Sequence, residues 1–271
     1  MAQPSDKTTE TLESVLHAHV FRDPETAMVL PESATYALKL SRKKNLELED
    51  VVDCALIDPL LSARLFAVAN SARFRGDVQV TTVRMAAARL GTTGCRDMLL
   101  QYAALRMMSV NRPAYDALLR SVLERCIRSA QTARTLAPRF SIDADTAYFA
   151  ALMQDLGYAR CVQIFVQHSK FIPTESAMVA AIETVHCIVG AQLVHAWKLP
   201  SEIAEVCLHH DAPGNRPLSQ LVYLANRVVA VCEGDKLLEA ELTANLLGLG
   251  FTNEQVLVML QDAWRDLQWV A

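Results

Sequence analysis

Residues 58 to 69 read DPLLSARLFAVA. An aspartate and a proline open the stretch, and Leu60, Leu61, Leu65, Val68 and Ala69 then recur at three- and four-residue steps. That spacing places the apolar side chains on one face of an α-helix. Proline fits the first helical turn, where an N–H has no partner anyway. Asp58 is placed to accept the orphaned amides as N-cap. Val51, Val52, Ala55 and Leu56 repeat the pattern one segment earlier. Working outward, helical spacing continues over 81–90, 93–109, 114–137, 144–153, 156–168, 174–197, 201–210, 217–233, 236–247 and 253–268. Strand-like alternation is best in VQVTTV at 78–83, which is short. The pattern predicts an all-α chain.

Composition bounds the rest. The chain has 271 residues, 52% hydrophobic and 21% charged, enough for one large domain or two small ones with a sizeable core. Seven cysteines lie scattered at 54, 95, 126, 161, 187, 207 and 232, with no CxxC pair. That argues against a disulfide framework or a cysteine zinc site and for a reducing cytoplasm. The opening MAQPSDKTTE has no basic segment leading into an apolar core, so no signal peptide is expected. Apolar runs fall short of the roughly 20 residues a membrane span needs, so no membrane partner is expected. The polar link Asn111-Arg112-Pro113 is the natural boundary between two halves. Before it, Arg64, Arg73, Arg75, Arg84, Arg89 and Arg96 belong to a basic stretch that could face an anionic partner. No aromatic platform accompanies it. Guanidiniums on a solvated face, paired with acids elsewhere, are the favoured reading, and nucleic acid is disfavoured as a partner.

There is no Gly-rich phosphate loop, GxSxG, HExxH or EF-hand loop. Two stretches remain. In ALMQDLGY (151–158) an apolar run is broken by Gln154 and Asp155, and a carboxylate there is costly unless paired. In HCIVGAQLVHAWKLPSEIAEVCLHH (186–210), His186 and Gly190 fall one helical turn apart, so another helix could approach closely. His209 and His210 end the next helix. Adjacent helical residues point about 100° apart, so both reach one site only from a helix end. On pattern alone, capping and packing are favoured over a metal site for these histidines.

Three segments carry a resemblance. Residues 30–91 contain an LP opening, an acidic helix, DPLLSARLFAVANSARF and an Ala-rich helix closed by LG. ALMQDLG follows, then HCIVGAQLVHAWKLPSEIAEVCLHH and SQLVYLANRVV. In combination these resemble the bacterial HDOD family over about residues 28–233. The resemblance implies a small N-terminal helical bundle packed on a C-terminal helical region related to HD phosphohydrolases. It divides the chain into an extension (1–27), the bundle (28–112) and a degenerate HD-like region with C-terminal helices (113–271).

In HD hydrolases an early His, a His-Asp pair and a later Asp hold the metal that activates water. Those positions fall on Arg125, Gln154-Asp155 and Asn226, so Asp155 alone survives of that set. His186, His209 and His210 correspond to additional histidines of the HD-GYP branch. A guanidinium offers a metal no lone pair, and amides are weak neutral ligands. The resemblance therefore implies no catalytic residue, no metal and no cofactor. Asp155 is expected to be a remnant ligand now paired by Arg125; breaking such a buried pair costs about 3–5 kcal/mol. The implied function is a stand-alone regulatory or scaffold protein of bacterial signalling, acting by binding a protein partner. The groove near Asn70 and Ser71 is a candidate surface, although Asn70 also suits a structural amide holding a loop. Two alternatives stay open. One is a metal-dependent phosphodiesterase or phosphohydrolase acting on a cyclic dinucleotide or nucleotide. The other is a module that binds a nucleotide second messenger or nucleic acid through residues 64–112.

Overall fold

A computed structural model describes residues 11–20, 31–71, 74, 76, 78–110, 112–168, 174–212, 215–235 and 237–265. The helices in chain order are α1 (Leu12–Val20), α2 (Glu32–Ser41), α3 (Leu48–Ile57), α4 (Pro59–Ala69), α5 (Val83–Met107), α6 (Pro113–Leu136) and α7 (Ala144–Met153). They continue as α8 (Leu156–His168), α9 (Glu175–Glu183), α10 (His186–Ala196), α11 (Ser201–His209), α12 (Pro217–Cys232), α13 (Glu239–Gly248) and α14 (Asn253–Arg265). No strand forms among the described residues. None of their single helices is long and apolar enough to cross a membrane.

Helices α2, α3 and α4 pack around α5 to make the N-terminal bundle. Asp58 caps α4 through Oδ1, which accepts from the amides of Leu60 (3.0 Å) and Leu61 (3.2 Å), while Oδ2 accepts from the Tyr102 hydroxyl of α5. One carboxylate thus starts a helix and ties it to the bundle centre. Gly91 breaks α5 with φ +67°, a backbone state costly for any residue with a Cβ. That break lies between the two segments the periodicity separates there. In the second part, α6, α11 and α12 pack on α7, and α10 packs on α8 and α11. Helices α13 and α14 pack on α12.

Two expectations need correction. VQVTTV is not a strand: residues 78–82 run irregularly into α5, whose first turn is capped by the Thr82 hydroxyl accepting from the Met85 amide (3.1 Å). The alternation lacks a partner strand, and capping wins. Nor do residues 174–197 form one helix. They bend by 67° between α9 and α10. The Thr184 hydroxyl donates back to Ala181 O (2.7 Å), closing α9, and α10 restarts at His186. This break, without Pro or Gly, puts His186 at a helix N-terminus.

Candidate functional site

The end of α7 is the centre of the site. Gln154 and Asp155 form the turn between α7 and α8, and both are buried. Helix α8 begins directly after Asp155, so its free amides favour a carboxylate there. Gly157, one step into α8, lets α10 come close. A Cβ on Gly157 would stand 2.0 Å from His186 O and 2.8 Å from the Gly190 amide nitrogen. Gly190 in turn faces the Gly157 amide and Cys207 of α11. The Gly157–Gly190 approach holds the start of α10 against Asp155.

His186 opens α10, and His210 caps the end of α11. Both are buried. His210 Nε2 lies 3.0 Å from Asp155 Oδ1, and His186 Nε2 lies 3.7 Å from the same oxygen. The two Nε2 atoms are 3.3 Å apart. His186 Nδ1 faces Ile182 O (3.3 Å) and His210 Nδ1 faces Cys207 O (2.9 Å). A carbonyl oxygen only accepts, so each Nδ1 carries the proton and each Nε2 points inward. Asp211 closes the solvent side, its Oδ2 3.3 Å from His186 Nε2 and 3.5 Å from His210 Nε2. Cys187 Sγ lies 3.5 Å from His186 Nε2 and 3.7 Å from Asp211 Oδ2. Burial opposes the charge on both imidazoles, but Asp211 beside His186 and Asp155 beside His210 raise them above their ordinary range. Burial likewise opposes ionisation of Asp155, yet His210, then His186 and Arg125, bring it down to about 2.

A second cluster adjoins this one. Asn226 of α12 and Gln154 exchange a pair of hydrogen bonds, Asn226 Nδ2 donating to Gln154 Oε1 (2.9 Å) and Gln154 Nε2 to Asn226 Oδ1 (3.0 Å). Asn226 Oδ1 also accepts from the Ser129 hydroxyl of α6 (2.6 Å), and its Nδ2 also donates to His210 O (3.2 Å). The Asn226 amide is therefore fully used within the protein.

Several sequence expectations are resolved by these positions. Asp155, His186 and His210 come together. His209 does not join them: it is partly exposed and lies 3.5 Å from Glu205, one turn back on α11. Adjacent positions on a helix diverge, and the inward one is His210. Arg125 makes no direct ion pair with Asp155, although its charge still lowers the pKa of that carboxyl. Its side chain is 54% exposed, and its nearest acid is Glu233, 3.7 Å away. The neighbouring Cys126 makes the contact instead, its Sγ donating to Asp155 Oδ2 (3.4 Å).

Cys126, Ser129, Cys187 and Asp211 were not singled out by the sequence. The adjacency of metal-ligating types in His186-Cys187 and His210-Asp211 was the available signal. No metal was expected. Even so, the structure groups ligand-bearing atoms of His186, Cys187, His210 and Asp211 within 4.8 Å of one another.

The basic stretch is engaged internally. Arg84 forms a two-pronged pair with Glu49. Arg89 donates to Ala69 O and Val78 O, and Arg96 to Ser41 O and Lys43 O. Arg64 is partly buried, and Arg73 and Arg75 lie outside the described residues. Asn70 brackets Val80, accepting from its amide (3.2 Å) and donating to its carbonyl (3.5 Å); Ser71 donates to Val68 O (2.7 Å).

Comparison with known proteins adds the following. The model of the HDOD domain matches residues 28–213. An HDOD domain protein of unknown function from Geobacter sulfurreducens aligns with TM-score 0.66 at 18% identity, over 96% of this chain and 97% of that one. A Shewanella amazonensis SB2B protein, provisionally named a metal-dependent phosphohydrolase, aligns with TM-score 0.70 at 17% identity, over 96% and 99%. A Marinobacter aquaeolei VT8 protein, provisionally named for signal transduction, aligns with TM-score 0.64 at 21% identity, over 96% and 64%. At these identities the likeness is one of fold. A curated, uncharacterised protein of Treponema pallidum (strain Nichols) is 22% identical in an alignment of 251 residues that covers 87% of this chain but 48% of that protein, so the chain spans about half its length.

Proposed function

This chain belongs to the HDOD family, and from that premise we propose that it is a non-catalytic regulator in signal transduction whose output is the binding of a protein partner. The observation that carries the reading is the reciprocal Gln154–Asn226 amide pair. By the resemblance, these two residues stand where a hydrolase has a metal-binding His and Asp. An amide nitrogen has no lone pair to give, and the amide oxygens are spent on hydrogen bonds. Half of a hydrolytic metal site has become a structural clamp. Helices α3 and α4 meet at an apolar surface suited to a protein partner, where Leu56 is 66% and Ile57 78% exposed. The arginines of the basic stretch mostly serve the fold, which weighs against a nucleic-acid surface.

A second reading, the metal-dependent phosphodiesterase, draws on the convergence of His186, His210, Asp155 and Asp211. One assay separates the two. Protein supplied with Mn, Fe or Zn is tested against cyclic dinucleotides, nucleotides and a simple aryl phosphodiester. The regulatory reading expects no turnover above a metal-only blank. Turnover abolished by Asp155→Ala would establish the enzyme instead.

A further inference from the structure

Cys187 and Asp211 have no counterpart among the ligand positions the family resemblance carries, yet they face both buried imidazoles. Their geometry can be tested against a metal polyhedron. Zinc bonds of about 2.0–2.1 Å to N or O and about 2.3 Å to S, set at tetrahedral angles, put N and O ligands about 3.3 Å apart. The same bonds put S about 3.5 Å from either. The structure has 3.3 Å between the two Nε2 atoms, and 3.3 and 3.5 Å from these to Asp211 Oδ2. Cys187 Sγ stands 3.5 Å from His186 Nε2 and 3.7 Å from Asp211 Oδ2. Five edges match; the sixth, from Cys187 Sγ to His210, sets the 4.8 Å span of the group and closes to bonding length by rotation of the Cys187 side chain toward His210.

The histidine tautomers agree. With each Nδ1 on a backbone carbonyl, of Ile182 or Cys207, both Nε2 atoms face inward 3.3 Å apart, and the protons that Asp155 and Asp211 hold on them leave as a metal binds. The backbone carbonyls supply the outer-shell support that metal-bound histidines ordinarily have.

We propose that His186, Cys187, His210 and Asp211 form a mononuclear zinc site, closed by four protein ligands, which clips the start of α10 to the end of α11. A thiolate and a carboxylate bring two negative charges, matching a divalent cation. The Cys187 thiol proton leaves to solvent as the metal binds. Sulfur and imidazole in a tetrahedron select zinc over magnesium, calcium or manganese, which favour oxygen in larger coordination spheres. Four protein ligands leave no position for a reactive water, so the site is structural and independent of the partner-binding reading.

The test uses the whole chain prepared without chelator, with metal content and the spectrum of the cobalt(II)-substituted protein as readouts. About one zinc per chain should survive dialysis. The cobalt form should show strong visible bands of tetrahedral coordination and a near-ultraviolet sulfur-to-cobalt band. Loss of an outer-shell partner costs about 10–100-fold in affinity, so Cys187→Ser, which loses a ligand, should cost at least about 100-fold and abolish the sulfur band. Asp211→Asn should weaken zinc binding while keeping the sulfur band. His209→Ala, outside the cluster, should change neither readout. Absence of retained zinc, a cobalt spectrum without the sulfur band, or a Cys187→Ser protein that binds as wild type would each overturn the site. Turnover plays no part in these readouts, so the zinc site and the regulatory reading stand or fall separately.

Discussion

At the scale of single residues, the consequential feature is the amide pair of Gln154 and Asn226. Asn226 makes four hydrogen bonds, to Gln154 twice, to Ser129 and to the backbone of His210. Asn226→Ala leaves both ends of a buried glutamine and a carbonyl without partners. Unsatisfied groups of this kind cost about 1–3 kcal/mol each, and partial access of water at the half-buried Asn226 limits the sum. A loss of about 2–4 kcal/mol in urea unfolding is expected; a loss under about 1 kcal/mol would show that the clamp carries no stability. Arg125 makes the opposite case. It is half-exposed, and Glu233 is held more closely by Arg128 at 2.7 Å. Arg125→Ala should cost under about 1 kcal/mol, as exposed ion pairs do. A cost of 3 kcal/mol would restore the Arg125–Asp155 pairing that the alignment suggested. Short motifs fix a helix but not its rotation. One residue of register, about 100°, separates Arg125 from Cys126.

At the scale of elements, caps and breaks divide what was legible from what was not. Helix α8 was bounded by its own periodicity, and Asp58-Pro59 announced α4. Asp143 announces α7 in the same way, its Oδ1 accepting from the Thr146 amide (2.8 Å) and hydroxyl (2.9 Å). These bonds favour the ionised form and lower its pKa. A carboxyl depressed in the folded state stabilises fully above its unfolded pKa and loses that contribution as pH falls through the folded value. Asp143→Ala should therefore cost about 1 kcal/mol at neutral pH, and the gap to wild type should narrow in acid; a gap independent of pH would assign the cap to something other than charge. The α9–α10 break was not legible, because no Pro or Gly marks Thr184-Val185. Its cause lies in tertiary packing, since only a restart at His186 brings that ring to Asp155. Gly157 makes this packing possible. Gly157→Ala pushes a methyl group into His186 O, a backbone atom that cannot turn aside. Overpacking of this kind costs about 1–3 kcal/mol, and contact with backbone places this case at the upper end. The sign of a merely local effect would be unchanged near-ultraviolet circular dichroism; displacement of α10 from α8 should alter it.

At the scale of the molecule, α5 and α6 belong to the two parts the sequence separates, but those parts share one continuous apolar core. Helix α1 shows how far sequence position misleads. It precedes the N-terminal bundle, yet it packs on α8 and α9, and His19 stacks on His168 with ring centroids 3.7 Å apart. Its own apolar spacing reveals a buried face but not which part of the molecule buries it. Polar contacts reinforce the junction along α5. Arg134 of α6 grips Asp97 with two hydrogen bonds (2.5 and 2.7 Å), and Gln101 donates to the Tyr148 hydroxyl of α7 (2.6 Å). Removing the two sides of the ion pair should not be equivalent. Without Asp97, Arg134 keeps Asp145 at 3.1 Å and the Tyr148 ring at 4.1 Å. Without Arg134, the bidentate pair and both of those further contacts are lost together. Arg134→Ala should thus cost about 3 kcal/mol, the low end for a buried pair because the guanidinium is partly exposed, and Asp97→Ala clearly less. Both proteins should still unfold in one transition, because the shared core outlasts the lost pair. If Arg134→Ala instead split unfolding into two transitions, the parts would be separate folding units joined mainly by charge.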